Sequence, residues 1–146
     1  MNYSSKQPNK KIMNDFNQKI IDEFRANKGK VSGMFEGMEL LLVTTKGAKS
    51  GKEVIFPVVY TKDGDKYVII ASKGGAPENP AWYYNLLANP EVTVEVGTEK
   101  FKAHATDTKG EERARLFEQH AKQYPQFNDY KAKTTRTIPV FILEKI

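Results

Sequence analysis

Seven consecutive residues, Lys46-Gly47-Ala48-Lys49-Ser50-Gly51-Lys52, place three lysines and two glycines between two apolar, β-branched runs. Glycine lets backbone N–H groups turn toward an anion and lysine supplies charge, so the pattern suits a phosphate. It is not a nucleotide-hydrolase loop: only three residues separate the glycines, Glu53 follows Lys52, and a strand stands where a helix is required. Nor is Ser50 a hydrolase nucleophile, because Ala48 occupies the position where the elbow requires glycine. Taken alone, the segment is more simply an exposed hairpin turn.

A second segment carries more. Ser72-Lys73-Gly74-Gly75 leaves an apolar strand and leads to Asn79-Pro80, a cap-like pair opening a short helix. Small residues admit a ligand to the backbone, Lys73 offers a cation, and the helix start presents N–H groups. Strand, glycine loop and helix start together describe a phosphate cradle, or an ordinary strand-to-helix connection. The helix itself, with Trp82, Tyr83, Tyr84, Leu86 and Leu87, reads as packing material except for Asn85, whose amide requires partners in the backbone or a ligand. Neither histidine has a carboxylate or second histidine at ligand spacing, so His104 reads as solvated and His120 as bordering an apolar stripe. Tyr124, Phe127 and Tyr130, spaced by threes around Pro125, wall a pocket or pack on a sheet.

These residues need a scaffold. Phe16, Ile20, Ile21 and Phe24 recur at helical spacing after Asn14, and Asn27-Lys28-Gly29 is a helix stop. Runs at 40–45, 54–60 and 67–71 predict three consecutive antiparallel strands, the last two joined through Asp63-Gly64. Val92, Val94 and Val96, then Phe101, Ala103 and Ala105, predict a second hairpin. Thr108 and Glu111 stand at capping-box spacing for a helix over 109–124 that Pro125 ends, and 138–143 supplies a final strand that Pro139 suggests starts at a sheet edge. About six mainly antiparallel strands and three helices without a βαβ rhythm predict an α+β fold, a small barrel with helices outside.

Composition narrows the chemistry. The chain has 146 residues and no cysteine, so thiolate metal sites, disulfides and cysteine nucleophiles are excluded. Residues 1–13 read as a polar, flexible leader and 14–146 as one domain. Lys6, Lys10 and Lys11 supply three of the net five positive charges, which leaves the body nearly neutral and argues against a nucleic-acid face. Weak peripheral membrane contact through the basic leader is the most that charge implies. No apolar run approaches the roughly 20 residues of a membrane helix, and no signal peptide opens the chain, so the expected location is cytoplasmic.

In order, 41–51, Pro57, 71–75, Asn79-Pro80-Ala81-Trp82-Tyr83-Tyr84-Asn85-Leu86, Ala88-Asn89-Pro90 and Thr135-Arg136-Thr137-Ile138-Pro139 resemble the deazaflavin-dependent nitroreductase family, in register from about Asn14 to the C-terminus. The resemblance implies a split β-barrel related to flavin-binding barrels and coenzyme F-420 as cofactor, with its reduced form donating hydride. It implies that Lys49, Ser50, Gly51 and Pro57 contact the coenzyme's phosphate and tail. Ser72, Lys73, Gly74, Pro80, Trp82 and Asn85 then hold it along the groove. Tyr124 and Tyr130 would lie over the deazaflavin face and close the substrate site with Ser72, these three being the catalytic candidates. No metal is implied.

Two positions depart from the family pattern. Val54 stands where an arginine is common, and Phe127 where members that reduce nitroaromatics often have tyrosine. The expected activity is hydride transfer from reduced coenzyme to an electron-poor acceptor, a quinone, enone or nitro compound, by a monomer or homodimer. The alternatives are an FMN protein on the same barrel and a non-catalytic barrel that sequesters a coenzyme, haem or fatty acid.

Overall fold

Continuous apolar runs at 40–43, 67–70 and 140–143 mark strands covered on both faces, whereas the alternation of Val92, Val94 and Val96 marks one wet face. In the computed structural model, which describes residues 6–146, these become β1 (Leu40–Lys46), β3 (Lys66–Ile70), β6 (Val140–Lys145) and β4 (Glu91–Val96). With β2 (Glu53–Asp63) and β5 (Glu99–Asp107) they form one antiparallel barrel closed in the order β1-β2-β3-β6-β5-β4. Leu41, Val43, Ile69, Val94, Phe141 and Leu143 fill its interior, beside the small Ala103 and Ala105.

Helices cover the outer faces of the apolar strands. Helix α1 (Lys6–Ala26) lays Ile20, Ile21 and Phe24 on Leu40 and Leu42 of β1. Helices α3 (Gly110–Gln123) and α4 (Gln126–Ala132) bury Leu116, Phe117, Ala121 and Phe127 against Val68, Ile70, Val140 and Ile142. Helix α2 (Ala81–Ala88) contributes Trp82 and Leu86 to the interior cluster. The end of α1 is fastened twice. Arg25 grips Glu95 through Nε and Nη2 at 3.1 and 2.8 Å, and Gly29 sits so close to Gly97 that a Cβ would lie 2.8 Å from its Cα.

The structure departs from the sequence reading at several points. Helix α1 begins at Lys6, with Pro8 in its first turn where a missing N–H costs nothing, so Asn14 is interior and no cap. The leader is therefore helical from Lys6, while Met1–Ser5 lie outside the described residues. The described residues form four α-helices, because Pro125, at φ −59°, ends α3 and starts α4. Thr108 caps nothing: its hydroxyl and its N–H both donate to the Val140 carbonyl, at 2.8 and 3.0 Å. Asn79 does not cap α2 either, since Pro80 takes the cap position and the Asn79 amide oxygen accepts from Arg136. Pro139 marks no sheet edge. It precedes β6, which lies between β3 and β5, and its carbonyl accepts from Ala71 N–H at 2.9 Å.

One irregularity shapes the barrel wall. The β2–β3 ladder runs only from Asp63↔Lys66 to Tyr60↔Ile69, so Pro57 on β2 and Ser72 beyond β3 stand on opposite sides of the break. Tyr60 N–H bonds Glu39 on the β1 side at 3.0 Å, and strand alternation aims position 57 at the unpaired side. A proline is tolerated there because no ladder bond is lost.

Candidate cofactor and active site

The β1–β2 connection closes on itself. Gly47 N–H donates to the Lys52 carbonyl (2.8 Å), Gly51 N–H to the Gly47 carbonyl (3.0 Å), and Lys52 N–H to Ser50 Oγ (3.2 Å). Lys46, Lys49 and Lys52 remain exposed, and the space where a Gly51 Cβ would stand is open. Asn85 on α2 ties this loop to the barrel. Its Oδ1 accepts from Ala48 N–H (2.9 Å), its Nδ2 donates to Thr45 Oγ1 (3.0 Å), and that hydroxyl donates to the Val54 carbonyl (3.0 Å). The buried amide thus serves the fold, and it acts on any ligand by placing Lys49-Ser50-Gly51. Asn85→Ala strands the Ala48 N–H and is expected to cost about 1–3 kcal/mol. Urea unfolding measures the loss, and limited proteolysis between Lys46 and Lys52 should become faster.

The second loop is built from unusual backbone. Ser72, buried, is right-handed at φ −81° and ψ −33°, and Lys73, Gly74 and Gly75 follow at φ +48°, +65° and +88°. Gly75 N–H bonds the Ser72 carbonyl (2.9 Å) and Ala76 N–H the Lys73 carbonyl (3.2 Å). Space above Gly74 is open, but a Cβ on Gly75 would lie 2.9 Å from the Tyr130 carbonyl oxygen and 3.0 Å from Lys133 Cβ. Gly75 is therefore the seat on which α4 rests, and it brings Tyr130 beside the Ser72 loop. The Lys73 ammonium pairs with Glu78 at 3.2 Å, both side chains well exposed.

Residues 17–145 match the family model described as F420H(2)-dependent quinone reductase. The chain belongs to that family. An F420H(2)-dependent quinone reductase of Mycobacterium tuberculosis is 36% identical over 129 residues, which span 84% of this chain and 85% of the relative. A solved structure of an F420-H2 dependent reductase, FDR-A, is 42% identical, with a TM-score of 0.68 over 73% of this chain and 94% of its own. A second, described as a domain-swapped dimer, is 36% identical, with a TM-score of 0.69 over 94% of this chain and 99% of its own. The nitroreductase resemblance thus sharpens to the quinone reductase branch.

In this quinone reductase family member, α2 links the two glycine loops: Pro80 opens it beside the second and Asn85 holds the first. Trp82 is buried edge-on to Phe141, with ring centroids 6.0 Å apart, so its body belongs to the core. Tyr130 is half-buried and edge-on to Phe127 at 5.1 Å. Tyr124 is tied into the scaffold. Its hydroxyl accepts from Glu39 N–H (3.0 Å) and Gln123 Nε2 (3.0 Å) and donates to the Tyr60 carbonyl (3.4 Å), so it is spent on the barrel wall. Burial raises its pKa above the ordinary phenol value, which keeps that donor proton in place. Phe127 is buried against His120, with centroids 4.5 Å apart, a core position rather than a groove wall. Val54, exposed at the start of β2, leaves the loop lysines as the nearby cations of that strand.

Sequence reasoning gave two residues no role of their own. Arg136 donates through Nε to the Ala76 carbonyl (3.0 Å), through Nη2 to those of Ala71 (3.1 Å) and Ser72 (3.0 Å), and through Nη1 to Asn79 Oδ1. The available signal was a lone charge in the uncharged stretch 134–139. His120 is fully buried, with Nδ1 2.9 Å from Thr61 Oγ1 and Nε2 without a partner among the described residues. Also among the described residues, no cluster of three or more acidic, His or Cys side chains could hold a metal, and no helix is long and apolar enough to cross a membrane.

Proposed function

We propose that this chain takes hydride from reduced coenzyme F-420 and delivers it to a quinone-type acceptor, with the coenzyme held between the two glycine loops. The observation that carries the reading is the Ser72–Gly75 turn. Its consecutive left-handed residues and open glycine admit an anionic, planar ligand to the backbone, and Lys73 stands beside it. The residues present fit the coenzyme: exposed Lys49, Lys52 and Lys73 suit its phosphate and acidic tail, and the break between Pro57 and Ser72 offers a slot in the wall. When bound, the coenzyme supplies the hydride; the chain's own work is positioning and exclusion of water.

Within that reading Lys49, Ser50, Gly51 and Pro57 hold the tail, and Ser72, Lys73, Gly74 and Pro80 border the ring-bearing end, with Trp82 and Asn85 supporting from α2. Ser72 and Tyr130 orient the acceptor, and the Tyr130 hydroxyl holds the proton that completes reduction to the hydroquinone. Tyr124 acts at a remove, by fixing α3 against the barrel. The relative described as a domain-swapped dimer favours a homodimer over a monomer.

The test follows oxidation of reduced coenzyme by the purified protein with a soluble benzoquinone or naphthoquinone. Turnover should saturate in both reactants. Lys73→Ala should raise the coenzyme KM about tenfold, and Tyr130→Phe should lower kcat about tenfold to a hundredfold with coenzyme affinity intact. Absence of protein-dependent oxidation with every quinone tried would overturn the reading.

A further inference from the structure

We propose that Arg136 is the positioning residue of the coenzyme loop, locking from behind a concavity of backbone N–H groups at Ser72, Lys73 and Gly74 that receives an anionic oxygen. The proposal rests on the coenzyme reading above but makes a separate claim about this chain.

The geometry begins with the planar peptide, in which C=O and the following N–H point opposite ways. Arg136 Nη2 holds the carbonyls of Ala71 and Ser72 at 3.1 and 3.0 Å. The N–H groups sharing those peptide planes belong to Ser72 and Lys73, and they are therefore directed away from the guanidinium. Ser72 is right-handed and Lys73 left-handed, at φ −81° and +48°. That succession turns consecutive N–H groups onto one anion-receptive concavity. The turn's own hydrogen bonds use the N–H groups of Gly75 and Ala76, which leaves those of Ser72, Lys73 and Gly74 without an intrachain acceptor among the described residues.

Arg136 is suited to this work by its donor geometry. Four hydrogen bonds from one planar group reach acceptors at both ends of the loop, from Ala71 to Asn79. A lysine ammonium, with three donors on a single atom, does not span them. All four acceptors are uncharged oxygens, so no carboxylate among its partners offsets the guanidinium charge, which stays behind the concavity.

The experiment compares wild type with Arg136→Lys and Arg136→Ala, and with Asn79→Ala, which removes one acceptor while keeping the arginine. Amide exchange without coenzyme should quicken about tenfold at Gly75 and Ala76 in Arg136→Lys, with β1 and β6 unchanged. Coenzyme Kd should weaken about tenfold or more while the acceptor KM, at saturating coenzyme, stays put. Asn79→Ala should fall between. Millimolar guanidinium ion, and not sodium, should restore coenzyme binding to Arg136→Ala. Unchanged loop exchange in Arg136→Lys, or faster exchange spread evenly over the barrel, overturns the proposal. Wild-type protein with no affinity for the coenzyme overturns the functional reading alone, and the exchange arm still decides whether Arg136 holds the loop.

Discussion

Gly75→Ala is expected to lower the melting temperature by about 5–15 °C and to weaken coenzyme binding with it. Two costs add at this residue. A side chain at φ +88° is strained by about 1–2 kcal/mol, and the added methyl meets backbone that cannot easily give. It would lie 2.9 Å from the Tyr130 carbonyl oxygen and 3.1 Å from Tyr130 Cα. Overpacking of this kind costs about 1–3 kcal/mol more. Gly74→Ala is the internal control, because its φ of +65° carries similar strain but the space around it is open. Thermal melts of the two variants separate the terms. Equal melting temperatures would mean that α4 does not rest on Gly75.

Acid should destabilise the protein through His120. Burial pushes this imidazole from the ordinary 6.5 down to about 4, and no carboxylate is near enough to offset the effect. The unfolded chain takes up the proton near pH 6.5 and the folded chain only near 4, so the fold is at full strength above about 6.5 and loses stability as the pH falls toward 4. The loss approaches about 3 kcal/mol at the lower end. His120→Leu should flatten that slope in urea titrations across the window, at a fixed cost of about 1–2 kcal/mol for leaving the Thr61 hydroxyl without its partner. The same slope in both proteins would place the acid sensitivity elsewhere.

Much of the barrel was legible because runs and alternations report local burial. The two-sided strands β1, β3 and β6 read as apolar runs, the β4–β5 hairpin as alternation, and the stop of α1 as Lys28-Gly29 at positive φ. The caps were misread for one physical reason. Thr108 and Asn79 stand at cap spacing, but a carbonyl 32 residues away and an arginine 57 residues away outcompete the local N–H groups. Spacing holds no information about such partners. Helix α4 spans seven residues and borrows its stability from Gly75 and the α3 packing, so periodicity could not announce it.

The site was partly legible by the same logic. Both glycine loops stood out, because left-handed backbone demands glycine and a cradle demands charge. Tyr124 and Tyr130 read as one aromatic wall, yet the break at Pro125 leaves Tyr124 capping the end of α3 and Tyr130 inside α4, with different neighbours. Arg136 escaped because its partners lie 57 to 65 residues away and only folding brings them together.

The position of β6 between β3 and β5 has a consequence for synthesis. Until Val140–Lys145 has docked, β3 and β5 each show an open edge. Contacts this distant in sequence close slowly. During that interval the vacant slot has the right register for the same strand from a neighbouring nascent chain. Until β6 docks, closure of the barrel by its own strand competes with edge pairing between chains, the more so the more crowded they are.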